Sequence, residues 1–301
     1  MIPDKFKPML AGKAPEDLRT LMYPVLASPK LDGIRCLVFG GVAYSRALKP
    51  IPNEFVQEQL ANLPDGLDGE LMLADDHTNF NAVQSAVMRK DGEPDFRFCV
   101  FDWHGIEGGY ASRYDELENT FGGEDAWHTR VNVVPHTLTE THEDLTEQDL
   151  DNHRMGFEGT MVRSLMGHYK LGRSTTKQGL LLKIKQFSDD EARIVGYVER
   201  EHNDNVKEVD NLGHTKRSSA KAGKRGAGDL GAFECERPDG VRFNVGTGYS
   251  AEQRVQFWEA RNALMGKLLK YRHQPGPNDP ADMAPRFPTF LGFRDERDTS
   301  K

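Results

Sequence analysis

The chain has 301 residues, 37% hydrophobic and 29% charged, a mixture that fills a core and excludes a disordered chain. No apolar run approaches a membrane span, and the three scattered cysteines, Cys36, Cys99 and Cys235, exclude a disulfide framework or a zinc knuckle and favour a reducing cytoplasm. The formal net charge of −8 argues by itself against a nucleic-acid partner, but binding follows local charge, and the charge is polarised. From Glu107 to Asp151 the chain is strongly acidic. From His214 to Gly228, "HTKRSSAKAGKRGAG" carries Lys216, Arg217, Lys221, Lys224 and Arg225 and no acid.

In chain order, "MIPDKFKPML" lacks an apolar h-region, so no secretion signal is expected. "SPKLDGIR" sets Lys30 ahead of an Asp-Gly turn, with Arg35 just behind it. A hairpin uses such a string as punctuation; an active site uses it to present one amine beside a tight corner. "IRCLVFGGVAYSR" predicts a hairpin around Gly40-Gly41. "PNEFVQEQLANL" predicts a helix capped by Asn53, with Phe55, Val56, Leu60 and Leu63 at helical spacing. "DFRFCVFDWH" and "GLLLKIKQF" predict strands. "EDLTEQDLDNHRMG" predicts an acidic helix or turn before a strand in "FEGTMVR". The texture changes after about Phe187, which puts a domain boundary near Gln186 to Ser188. "EARIVGYVERE" then predicts a strand, the basic stretch a Gly/Ser-rich loop, and "LGAFECERPDGVRFNVGTG" a hairpin with a Pro-Asp-Gly turn. "SAEQRVQFWEARNALMGKLLKYR" is the strongest helix pattern, with Ser250 and Gln253 as a capping box. Short strands with one helix suit a small β-barrel.

The chemistry-bearing residues recur in a definite order. After Lys30 and Arg35 comes Arg46 in "YSR". "DGEL" supplies Glu70 after a Gly turn. "FDW" supplies Phe101 and Asp102 at a strand end, and "FEGTMVR" supplies Glu158. "LLKIKQF" sets Lys183 and Lys185 two apart, on one face of a strand. Singly, each acid is an ordinary strand-end carboxylate and the lysines a solvated face. Taken together in this order, they are more than ordinary strand-end charges.

The order resembles the nucleotidyltransferase motifs of ATP-dependent DNA ligases, shared in part with RNA ligases and mRNA capping enzymes. It is similar above all to the small ligases of bacteriophages and large DNA viruses. The tail "RFPTFLGFRDERD" resembles their last motif, and "GAFECERPDGVRFNVGTGYSAEQR" their OB segment. The resemblance implies an α+β fold: a nucleotidyltransferase domain with ATP-grasp-like antiparallel sheets and helices over residues 1–187, then an OB-fold β-barrel over 188–301. It implies a basic DNA-binding loop near 202–228 and a hinge near 186–190. Lys30 would attack the α-phosphate of ATP and hold AMP. A free lysine, with a pKa of ~10.4, is mostly a cation at neutral pH, so Lys183, Lys185 and Mg²⁺ are expected to disfavour the ammonium.

By the same resemblance, Pro29, Arg35 and Arg46 would line the nucleotide, Glu70 would meet the ribose, and Phe101 would stack on adenine. Arg46 would also meet the nick 5′-phosphate. Glu158 and Asp102 would place Mg²⁺, with Mn²⁺ as a substitute. Arg294, Asp295 and Asp298 would orient pyrophosphate. Lys216, Arg217, Lys221, Lys224 and Arg225 would follow DNA phosphates. The implied partner is nicked duplex DNA, bound by a cytoplasmic monomer with no membrane association. The rival readings are an RNA ligase, a capping guanylyltransferase using GTP, and an inactive nick-binding module. The tail speaks against the first two, and the intact set of Lys30, Glu70, Glu158, Lys183 and Lys185 against the third.

Overall fold

A computed structural model of the chain describes residues 1–74, 80–123, 129–185, 187–209, 215–274 and 283–294. The chain divides into two units, Met1–Lys185 with Val209–His214, and Gln186–Glu208 with Thr215–Lys301.

The strands of the first unit are β1 (Gly12–Lys13), β2 (Val25–Pro29), β3 (Ile34–Phe39), β4 (Val42–Tyr44), β5 (Leu67–Leu73), β6 (Phe96–Trp103), β7 (Val131–Val133), β8 (Thr137–Thr139), β9 (Thr160–Ser164) and β10 (Leu181–Ile184). Its helices are α1 (Glu54–Leu60), α2 (Phe80–Val87), α3 (Tyr110–Phe121) and α4 (His142–Arg154). They build two five-stranded sheets, ordered β1-β10-β9-β2-β8 and β4-β3-β5-β6-β7. Pairing is antiparallel except for β1 with β10 and β6 with β7.

The predicted hairpin is β3–β4, turned at Gly40-Gly41 with positive φ at both glycines, the hallmark of a tight two-residue turn. Helix α1 starts where expected: the Asn53 side chain accepts from the Val56 N–H and satisfies one of the open donors at the helix start. The acidic stretch "HEDLTEQDLDNHR" is a helix, fixed by a Thr141–Asp144 capping box. Along β6 the burial alternates strictly, with Phe96, Phe98, Val100 and Asp102 turned inward and Phe101 on the opposite face. A core of Ile34, Val38, Val56, Leu60, Leu71, Phe98 and Val100 backs that sheet. A smaller core of Val25, Ala27, Leu145, Val162 and Leu182 backs the other.

The second unit contains β11 (Ser188–Asn203), β12 (Lys207–Val209, its last residue counted with the first unit), β13 (Thr215–Arg217), β14 (Lys224–Glu236), β15 (Arg242–Val245), α5 (Ala251–Glu259), α6 (Arg261–Leu264), β16 (Leu268–Gln274) and β17 (Arg286–Arg294). One five-stranded antiparallel sheet runs β15-β14-β11-β16-β17. A bridge between Thr247 and Thr289 brings its last strand back beside its first, so the sheet closes around Ile194, Phe233, Val245, Leu269, Tyr271 and Phe290.

Two expectations fail here. The long predicted helix ends at Leu264, already divided after Glu259 into α5 and α6: its capping box of Ser250 and Gln253 is present, but "LLKYRHQ" is strand β16. Gly266, at φ 78°, breaks the helix, and Leu269 and Tyr271 alternate into the barrel core. Nor is the basic stretch a loop. Strands β11 and β14 stay paired out to Asn203–Lys224, while β12 and β13 form a ribbon of their own. Cross-strand pairs hold the hairpin: Lys224 to Glu201 at 2.8 Å and Arg225 to Asp204 at 2.9 Å.

Candidate active site

The turn after β2 and the start of β9 are stitched together. Lys30 donates its backbone N–H to the Gly159 carbonyl at 2.8 Å and accepts from the Glu158 N–H at 3.2 Å. Gly159 has φ 154° and lies so close to the Ile184 carbonyl that a Cβ would collide with it. Gly33 is confined in the same way by the Leu71 carbonyl. These two glycines let the backbones approach closely enough to bring Lys30, Glu158 and Glu70 toward one place.

A cavity of about 300 Å³ opens there, lined by residues from both sheets. Pro29, Lys30, Arg35, Arg46, Glu70, Phe101 and Lys183 all face it, as do Val134, Met161, Arg163 and Arg173. The Glu158 carboxylate bonds the ammonium groups of both Lys30 and Lys185. Lys185 lies one residue past the end of β10.

Burial pushes the Lys30 pKa down to about 8. Glu70 pulls it back up, and Lys185 and Lys183 press it down further. Desolvation therefore leads, and the neighbouring lysines, expected to disfavour the ammonium, add to it behind the opposing pull of Glu70. Glu70 is pushed up to about 7, again first by burial, against the pull of Arg35 and Lys30. Lys183 is lowered by burial and by the charges of Lys185, Arg173 and Arg46. Any anion entering the cavity meets several cations already short of solvent.

Phe101 occupies a β-bulge. Asp68 pairs with Asp102 and Gly69 with Val100, which leaves Phe101 as the extra residue on β6. The guanidinium carbons of Arg35 and Arg163 lie 4.7 and 5.6 Å from its ring centre. Arg35 reaches the cavity with its fork already engaged: its Nη2 donates to Asp68 at 2.6 Å and to the Met9 carbonyl at 3.2 Å. Burial would lower the Arg35 pKa, but Asp68 outweighs it, so Arg35 stays charged.

Asp102 is not placed for a metal. It has no exposed surface, and it accepts from Arg113 and Arg163 at 2.6 Å each and from the Trp103 N–H at 2.9 Å. Burial acts to raise its pKa, and the guanidiniums of Arg163 and Arg113 outweigh that. The two-residue period of a strand explains the difference: Phe101 faces the cavity, so its neighbour Asp102 faces inward. Among the described residues no group of three or more His, Cys, Asp or Glu side chains could hold a metal by itself.

Arg163 and Arg173 belong to the cavity but carry no assignment from the sequence. Arg163 was legible in principle, since it lies two residues after Met161 on β9 and both face the cavity. Arg173 sits between strands, where no periodicity marks it.

In the second unit, Arg294 ends β17 and pairs with Glu191 at 3.0 Å. Asp295 and Asp298 lie outside the described residues. On the hairpin, Lys216 and Lys221 are exposed, Arg217 donates to the Asn205 carbonyl, and Lys224 and Arg225 are ion-paired.

Comparison with known proteins bears on both units. The model of the ATP dependent DNA ligase domain matches residues 8–185, and that of the DNA ligase OB-like domain matches residues 223–294. No curated protein matches the chain. Among solved structures, Chlorella virus DNA ligase-adenylate is 32% identical over 96% of this chain and 99% of its own, with a TM-score of 0.54. A Lig E DNA ligase is 25% identical over 97% of this chain and 100% of its own, with a TM-score of 0.70. With one family domain matched over more than half its length and a viral ligase nearly a third identical along it, the chain belongs to the ATP-dependent DNA ligase family, enzymes that form phosphodiester bonds.

Proposed function

We propose that the cavity binds ATP and that Lys30 is the nucleophile that carries AMP during the sealing of 5′-phosphate/3′-hydroxyl nicks in duplex DNA. The observation that carries this reading is the position of Lys30 in the cavity wall, with its pKa brought down to about 8 by burial. A lysine at that pKa is partly neutral at physiological pH and can attack without a dedicated base. The Lys30 nitrogen attacks the α-phosphorus, a N–P bond forms, and the P–O bond to pyrophosphate breaks. AMP then passes to the nick 5′-phosphate, and the neighbouring 3′-hydroxyl displaces it. The Chlorella virus relative, a ligase-adenylate, supports the first step.

The other residues serve positioning and charge. Phe101 offers a ring to the adenine and Glu70 a carboxyl to the ribose. Arg46, Lys183 and Lys185 face the phosphates, with Pro29 and Arg35 shaping the wall. Arg294 is the one described residue of the tail assigned to pyrophosphate. Mg²⁺ binds through one or two carboxylates plus substrate phosphates, and Glu158 is the residue that would hold it, once the phosphates draw the ammonium groups of Lys30 and Lys185 away. Bound there, Mg²⁺ or Mn²⁺ offsets phosphate charge. Asp102, enclosed by arginines, has no part in it.

For DNA, Lys216, Arg217, Lys221, Lys224 and Arg225 on the long hairpin supply a backbone-tracking surface. We read the active form as a monomer. Free Cys36, Cys99 and Cys235 support a reducing cytoplasm. No helix among the described residues is long and apolar enough to cross a membrane.

The test is incubation with Mg²⁺ and α-labelled ATP or GTP, followed by nicked duplex DNA. Label taken from ATP alone and discharged on sealing supports the proposal. Label from GTP moves the chain to capping chemistry, and absence of label overturns the catalytic reading.

A further inference from the structure

Two walls of the cavity, Phe101 and Val134, are held from behind by side chains that do not line it. Phe101, displaced from the ladder by the bulge, has its carbonyl bonded instead by the Tyr110 hydroxyl at 2.7 Å. Val134 follows the end of β7, and its carbonyl lies 2.8 Å from Nδ1 of His136. The Tyr110 oxygen and His136 Nε2 are 2.8 Å apart, which joins the two supports. The His136 backbone N–H donates to the Tyr114 hydroxyl at 3.1 Å, and that hydroxyl donates to Glu118 at 2.6 Å. The His136 ring lies 4.5 Å from the Tyr114 ring and 5.4 Å from that of Tyr110, so the start of α3 encloses the imidazole.

We infer that Tyr110 and His136 are positioning residues for nucleotide binding, fixing Phe101 and Val134 in the cavity wall through their carbonyls. Tyr110 is 1% exposed, and its hydroxyl is bonded by protein groups. Burial, followed by the charge of Arg163, pushes the His136 pKa down to about 3, and the ring is neutral. Its one proton, on Nδ1, goes to the Val134 carbonyl, which leaves Nε2 as an acceptor. Nε2 and the Phe101 carbonyl then share the single Tyr110 proton. One hydroxyl thus ties both walls to the helix; the Arg163 guanidinium lies 4.3 Å from the Tyr110 ring centre, so Tyr110→Phe, which keeps the ring, removes the tie and leaves that contact.

The inference rests on the cavity being the ATP site, so the experiment includes a variant that tests the cavity by itself. Lysyl-adenylate formation by the full chain is measured against ATP concentration for Tyr110→Phe, His136→Leu, His136→Asn and Phe101→Ala. Saturating pre-adenylated nicked duplex provides a reaction that needs no ATP. Tyr110→Phe and His136→Leu should raise KM for ATP about tenfold, the equivalent of one net hydrogen bond. Their kcat and their sealing of the pre-adenylated nick should stay within about twofold of the unaltered chain. His136→Asn, whose amide replaces the Nδ1 donor, should recover part of the loss. Unchanged KM in both variants, with KM raised in Phe101→Ala, overturns the positioning role and leaves the cavity reading standing. Unchanged KM in Phe101→Ala overturns the cavity reading and the inference together. Loss of sealing in parallel with KM marks general structural damage and also overturns the inference.

Discussion

The two units handle charge in opposite ways. In the first, buried Asp102 bonds buried Arg113 and Arg163, and buried Asp68 bonds Arg35 in the cavity wall. In the second, the acids at the start of β11 pair with Lys270, Arg272, His273 and Arg294 in contacts open to solvent, and Glu201 and Asp204 do the same for Lys224 and Arg225. A buried pair costs much to make and more to break, so it fixes geometry. An exposed pair costs little and exchanges readily for another anion, such as a phosphate. The first arrangement suits chemistry on one nucleotide; the second suits a duplex that must be gripped and released.

The comparison can be broken most decisively at Asp102. Replacing it by Ala leaves two buried guanidiniums without their carboxylate, and denaturant unfolding should show a loss of ~3–5 kcal/mol. A loss below ~1 kcal/mol would mean that the cluster is not the rigid frame described. Next, Gly159→Ala meets both an unfavourable φ and the Ile184 carbonyl. It should lower stability by ~1–3 kcal/mol and abolish labelling from ATP, because Lys30 and Glu158 separate. The pH dependence of adenylylation is a third check. Burial lowers the Lys30 pKa to about 8, and only the neutral amine attacks. At saturating ATP the rate should climb about tenfold per pH unit below that point and level off above it. A rate still climbing beyond pH ~10 would indicate an unperturbed lysine.

Smaller effects belong to the second unit. Alanines at Lys216, Arg217, Lys221, Lys224 and Arg225 should flatten the salt dependence of nick binding, by ~0.9 in the log–log slope for each phosphate no longer neutralised. An unchanged slope removes the hairpin from the DNA surface. Smallest of all, Lys224→Ala alone should leave the thermal midpoint within about 1 °C, as for an exposed pair.

How much of this the sequence carried depends on the kind of signal. Local chemistry was legible: the Gly40-Gly41 turn, the Asn53 cap and the Ser250–Gln253 box all form as read. So were the cavity residues Lys30, Arg35, Arg46, Glu70, Phe101 and Lys183, because each sits in a short motif near a strand end or turn. Features decided by partners distant in sequence were not. "LLKYRHQ" has helical spacing but is drawn into the barrel as a strand. The basic stretch has loop composition, yet Glu201 and Asp204 across the hairpin neutralise part of it and extend the sheet. Asp102 looked like a metal carboxylate because the arginines that enclose it lie 11 and 61 residues away. His136 and Tyr110 carry no motif, and their role emerges only from the carbonyls they reach.

The most direct test of the central claim is to locate the nucleotide on the chain. The protein would be incubated with ATP and Mg²⁺, digested, and the AMP-bearing peptide sequenced by mass spectrometry. The account predicts a single adenylated residue, Lys30, and no adenylated peptide from Lys30→Ala. AMP on another side chain, or adenylation persisting in Lys30→Ala, would contradict it.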